Sequence, residues 1–197
     1  MRVELRALAG SLSVLLLAAL ASALPPAREW LLYERPEHAA TWRLLSTQLL
    51  HPNLSTAAAD LGLLSLAGFW LERRARGLWA TVLIAALLGT AASVAWAPPE
   101  LRSFEGASGL AAAMVSAALL HAAFAQRGLV RGALIVAAFS ALLKACLELN
   151  GQETLHASLP PGAQVYAPAH VVGALLGLTI VLVARTRSRE RSHARAA

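Results

Sequence analysis

Two polar side chains stand at the mouths of two apolar runs. Gly106-Ala107-Ser108-Gly109 opens the run from Leu110 to Phe124, and Ala169-His170-Val171-Val172-Gly173 opens the run that ends at Val183. A hydroxyl and an imidazole at matching depth make a nucleophile and its general base, provided they meet within about 2.6–3.2 Å. At a helix N-terminus Ser108 would also lie beside free N–H groups and the positive end of the helix dipole, which stabilise developing negative charge. Its own N–H could donate to an oxyanion. The competing readings are a helix-capping serine among tightly packed glycines and a histidine that makes a structural hydrogen bond.

Such a meeting requires helices that approach closely. Gly173 and Gly177 follow His170 at i+3 and i+7, and Gly109, Ala112 and Ser116 recur at similar spacing in the other run. Small residues facing small residues let apolar helices come together. A third group lies upstream, where Trp42-Arg43 leads to His51, Thr56 and Asp60, the chain's sole aspartate. A carboxylate within an apolar run is costly unless paired or neutral. Asp60 could bond His170 or His51 if it faces the Ser108/His170 cavity. Otherwise it is a packing contact, or its helix is short and partly exposed.

The elements that must position these groups are membrane helices. The 197 residues are 57% hydrophobic and 14% charged, against about 25% charged in a soluble domain, and the mean hydropathy is +0.58. Six apolar segments, roughly Ala7–Leu24, Leu54–Leu71, Leu78–Trp96, Ser108–Phe124, Leu129–Leu149 and Ala167–Val183, approach the ~20 residues that cross ~30 Å of hydrocarbon. Unpaired backbone cannot face lipid, so all six are expected to be helices. The fold class is an all-α membrane protein, with residues 1–184 as one membrane domain and 185–197 as a basic cytoplasmic tail, disordered and touching anionic lipid. A tight inner turn is expected at Glu72, Arg73, Arg74 and Arg76, with outer loops at residues 25–53 and at 150–166 around Pro160-Pro161-Gly162.

Arginine placement gives the orientation. Arg2, Arg6, Arg73, Arg74, Arg76, Arg127, Arg131, Arg185, Arg187, Arg189, Arg191 and Arg195 fall on one side, and Arg28, Arg35, Arg43 and Arg102 on the other. Both termini are therefore expected to be cytoplasmic, with Ser108 and His170 toward the outer side. The first segment also has the form of a secretory signal, ending at Ala21-Ser22-Ala23. The net charge of +6 reflects these flanking arginines, and no aromatic-basic interleaving marks a nucleic-acid surface. With Cys146 alone, no intrachain disulfide forms. Lys144 and Glu148, four apart, are expected to form a local ion pair. His121 lies near the far end of its helix, about 20 Å from Ser108, and His38, His156 and His193 fall in loops or tail. No metal-ligand spacing such as H-E-x-x-H occurs, so neither metal nor cofactor is expected.

Taken in order, Trp42-Arg43, His51, Gly106-Ala107-Ser108-Gly109 and Ala169-His170 with Gly173 and Gly177 resemble the rhomboid family of intramembrane serine proteases over about residues 42–180. The short chain and the Lys144/Glu148 pair followed by Gly151 are similar to the rhombosortase branch. The resemblance implies a six-transmembrane-helix rhomboid-like bundle in a bacterial inner membrane. It also implies a Ser108–His170 dyad without a third carboxylate, and transmembrane protein substrates, in that branch carrying C-terminal Gly-Gly sorting helices. His51 matches the family's first-loop histidine beside the oxyanion site. Thr56 stands where the family usually has a second histidine and Asp60 where it has asparagine, and Gly106 precedes the nucleophile. Asp60 could be neutral and donate, pair with His51, or orient His170. Because of Thr56 and Asp60, a catalytically inactive protein that binds or chaperones transmembrane helices is the alternative. The sequence sets no oligomeric state.

Overall fold

A computed structural model describes residues 8–34, 40–150 and 165–194. The expectations for Arg2, Arg6, Arg35, His38, Gly151, His156, Pro160-Pro161-Gly162 and Arg195 lie outside the described residues. In chain order the elements are α1 (Ala9–Ala23), α2 (Pro25–Leu31), β1 (Tyr33–Glu34), α3 (Arg43–Ser46), a 3-10 turn (Thr47–Leu49), α4 (Leu54–Ala95), β2 (Ser103–Phe104), α5 (Ser108–Phe124), α6 (Gly128–Leu149) and α7 (Ala167–Ala194). Among the described residues the protein is thus nearly all helical. Three helices, α4, α6 and α7, are long and apolar enough to cross a membrane, and α1 and α5 are apolar but shorter.

Helix α4 has 42 residues, which at about 1.5 Å per residue is twice the thickness of a bilayer core. It breaks at Ala75, whose φ of −153° and ψ of 67° are not helical. The two halves lie side by side. A Cβ on Gly68 would sit 3.5 Å from Trp79 Nε1, whereas a straight helix would hold these residues about 16 Å apart. Leu64 and Leu83 likewise line one small cavity with Ser11 and Met114. The tight turn expected at Glu72, Arg73, Arg74 and Arg76 is therefore where the chain reverses, but it is made by Ala75 alone, and the rest of the charged cluster stays helical. Glutamate, arginine and alanine are good helix formers, and one residue leaving the helical region redirects the chain.

Glu72 is only 2% exposed and accepts the backbone N–H groups of Gly10 (3.0 Å) and Ser11 (2.8 Å) at the start of α1. Those N–H groups have no partner within their own helix, and an anion suits that end of the dipole. Gly10 leaves the room: a Cβ there would fall 2.3 Å from the Trp79 ring. A buried carboxylate from the α4 bend thus fastens the first helix to the bundle.

Helix α5 is the axis of the packing, with ten of its 17 residues buried and α4, α6 and α7 around it. The small faces expected of α5 and α7 meet backbone to backbone. A Cβ on Gly173 would lie 2.0 Å from the Gly109 carbonyl oxygen, and one on Gly177 2.2 Å from that of Ala113. The partner of Gly177 is Ala113, one position on from the expected Ala112. In contrast, the buried residues of α6 are only Ala138 and Ala145.

The two ends of the bundle differ. At one end Arg74 lies over the Trp70 ring (4.9 Å) and Arg131 and Arg185 over Phe124 (6.0 and 5.3 Å), with His121 edge-on to Trp70. At the other, Trp30, Trp42 and Trp96 are exposed, as aromatic side chains are at an interface. A second correction concerns the tail. Instead of disorder from Arg185, α7 continues to Ala194, because arginine, glutamate and alanine extend a helix that the apolar stretch has already nucleated.

The α5–α7 contact sets an expected outcome. Gly173→Ala should destabilise the protein by about 1–3 kcal/mol through overpacking. Gly62→Ala, with nothing within 4 Å of its added methyl, should be neutral or slightly stabilising. Thermal unfolding of the two variants in one detergent checks this.

Candidate functional site

The segment before α5 is clamped from three sides. β2 pairs antiparallel with β1, Tyr33 opposite Phe104. Between them Thr47, fully buried, donates its hydroxyl to the Phe104 carbonyl and accepts the Tyr33 N–H at 3.3 Å. Its carbonyl takes the Gly106 N–H at 3.4 Å. The neighbouring Gln48 donates to the carbonyls of Leu44 and Leu87, both at 3.0 Å, tying the 3-10 turn to α4. Arg28 donates to the His51 carbonyl (3.1 Å) and to Glu105 (2.8 Å). The chain then turns at Gly106 with φ of +124°, a conformation favoured by glycine, and enters α5 at Ser108.

Helix α7 is anchored at the same end. The Tyr166 hydroxyl donates to the Ser93 carbonyl at 2.7 Å, and its ring meets Phe104 edge-on. One turn later comes His170. The α5–α7 glycine contact brings the two helix starts together, and the His170 Nε2 lies 2.7 Å from the Ser108 Oγ. Helix α5, 17 residues long, spans only about 25 Å, less than the ~30 Å of hydrocarbon. A serine on its first residue can therefore sit below the membrane surface when the other end reaches the opposite interface.

The second imidazole nitrogen is also engaged. His170 Nδ1 lies 2.7 Å from Glu148 Oε2, at the end of α6, with side-chain exposures of 14% and 3%. The other oxygen of Glu148 pairs with Lys144, one turn back on α6. An ionised carboxylate only accepts, so Nδ1 carries the proton and Nε2 is left to accept from the serine hydroxyl. Ser108, His170 and Glu148 thus form a continuous chain of hydrogen bonds across three helices.

The remaining sequence-derived residues divide. His51 and Asp60 come together, with Nε2 and Oδ2 3.6 Å apart and the His51 side chain 1% exposed. Asp60 also borders the turn before Ser108, since a Cβ on Gly106 would lie 3.5 Å from its Oδ2. It is Glu148, not Asp60, that faces the His170 Nδ1. Thr56 serves the start of α4: its N–H donates to the Asn53 side chain at 2.8 Å, and its hydroxyl is 3.0 Å from the Asn53 carbonyl and 3.1 Å from Oδ1. Gly109, Gly173 and Gly177 make the backbone contact beneath the pair. The expected Lys144–Glu148 ion pair forms, and the second oxygen of the carboxylate, which the i,i+4 spacing does not assign, meets His170. The signal was present, because a glutamate at the same end of the apolar bundle as Ser108 and His170 needs more than one partner to stay charged.

No curated protein matches the chain. A family model of the rhomboid domain matches residues 38–187, a stretch that takes in Trp42, the close-packed helices and the start of the basic end of α7. The chain belongs to the rhomboid family, whose members are generally intramembrane serine proteases.

Proposed function

We propose that this protein is an intramembrane serine endopeptidase, a six-span bundle in a bacterial inner membrane with both termini cytoplasmic. The observation that carries the reading is the 2.7 Å contact between Ser108 Oγ and His170 Nε2. Ser108 attacks the scissile carbonyl as His170 takes its proton, and His170 returns that proton to the leaving amine. Water then releases the acyl group by the same exchange in reverse. The Ser108 N–H, in the first turn of α5, donates to the tetrahedral oxyanion as it gains charge. Orientation rests on Arg74, Arg131 and Arg185 gathering at the end away from Ser108.

His51 supports an auxiliary role at the oxyanion. Neither ring nitrogen has a hydrogen-bond partner among the described residues, Asp60 Oδ2 lying 3.6 Å from Nε2, so a ring N–H is left to donate to an oxyanion. Ion pairing with Asp60 would neutralise a carboxylate that otherwise repels an oxyanion. The substrates are membrane-anchored proteins whose helices unwind near the outer leaflet. A Gly-Gly-containing sorting helix fits this chemistry, since glycine weakens a helix and exposes the scissile bond.

The alternative, an inactive binder of transmembrane helices, draws on the engagement of the Thr56 hydroxyl with Asn53 and on an acid at Asp60. A fluorophosphonate probe separates the two. An active peptidase labels at Ser108 in detergent and loses labelling in Ser108→Ala, whereas folded wild-type protein that stays unlabelled points to the binder. Asp60→Asn should lower kcat/KM on an anchored reporter about tenfold or more, equivalent to about 1.4 kcal/mol, because it removes the counterion of His51. An unchanged rate would instead mark Asp60 as a neutral donor.

A further inference from the structure

The structure assigns to Glu148 the role of a positioning residue that holds His170 in the tautomer and orientation needed to accept the Ser108 proton, making the site a three-member Ser108–His170–Glu148 relay with Lys144 as counterion. This rests on the peptidase reading and extends it. The three residues come from α5, α7 and α6, so no local sequence geometry forces them together. The two contacts along the relay are both 2.7 Å, and the one to the Glu148 carboxylate is within the range of charge-assisted hydrogen bonds. Glu148 is 3% exposed, and a buried carboxylate retains its charge only when paired.

The pairing divides its oxygens. Lys144, 41% exposed, takes Oε1 and His170 takes Oε2. Of the titratable groups facing Glu148 among the described residues, Lys144 comes from its own helix and His170 from α7, and the Ser108 hydroxyl faces the far side of the imidazole from α5. As His170 takes the serine proton on Nε2, the imidazole becomes a cation, and the anion already bonded at Nδ1 stabilises it without any proton moving to the carboxylate. An amide at position 148 would remove that charge and could present an N–H to Nδ1, favouring the tautomer that cannot act as base.

The test measures how fast a fluorophosphonate probe labels Ser108 in purified full-length protein, alongside kcat and KM on the anchored reporter. Glu148→Gln should slow labelling and lower kcat at least tenfold, with about 10⁴-fold as the ceiling known for a triad carboxylate, while KM stays within about twofold. Glu148→Asp, which keeps the charge, should recover part of the loss. A readout independent of the Glu148 variants is the proton spectrum of ¹⁵N-histidine-labelled wild type, in which His170 should show a far-downfield Nδ1 proton that vanishes in His170→Ala. Labelling of Glu148→Gln at the wild-type rate overturns the assignment while leaving the peptidase reading intact. So does a wild-type spectrum without that proton. Wild-type protein that never labels overturns both.

Discussion

The contact on which the rest depends is between two backbones. Gly173 and Gly177 let α7 rest directly on Gly109 and Ala113 of α5, at a separation where any side chain would collide. In lipid such contact replaces the hydrophobic drive that packs soluble helices. It fixes both the spacing and the axial register of the two helix starts. Ser108 precedes Gly109 by one residue and His170 precedes Gly173 by three, so the residues that seat the helices also seat the 2.7 Å contact above them. An error of about 1 Å in such a register can cost 100-fold in rate.

A second constraint is that charge in an apolar bundle must be answered locally. Glu72 is answered by the N–H groups that open α1, Glu148 by Lys144 and His170, and Asp60 by His51. Glu72 fastens the first helix at the basic end. Glu148 and Asp60 lie at the opposite end, Glu148 against His170 and Asp60 beside the turn that leads to Ser108. The polar groups are few, and each one joins elements that apolar packing alone would leave free to slide.

Much of this could be read from residue spacing. The apolar runs became helices because lipid-facing backbone must pair with itself, and the glycines after His170 marked the close face because only small residues permit it. Ser108 and His170 stood out as polar groups at helix mouths. Three features were less legible. The reversal within α4 rests on one residue, Ala75, whose type gives no sign of it. The helical course of the C-terminal segment was obscured by its charge, which reads equally well as a solvated coil. The bond from Glu148 to His170 depends on the relative rotation of α6 and α7, which neither periodicity nor composition specifies, and the adjacent Lys144 offered a sufficient local explanation for the acid.

The uneven packing of the helices bears on the chemistry. The serine sits on the most enclosed helix, α5, and the histidine on the helix packed backbone to backbone against it. The carboxylate comes from α6, whose buried residues are only Ala138 and Ala145. Displacing α6 outward therefore lengthens the Glu148–His170 bond before it disturbs Ser108 and His170. It also takes from the acid the hydrogen bond to His170, an outcome opposed by the cost of weakening a buried charge's partners. The Glu148–His170 bond and the seating of α6 thus support each other: the hydrogen bond ties the least buried helix to the bundle, and the helix in its place holds the carboxylate against the imidazole.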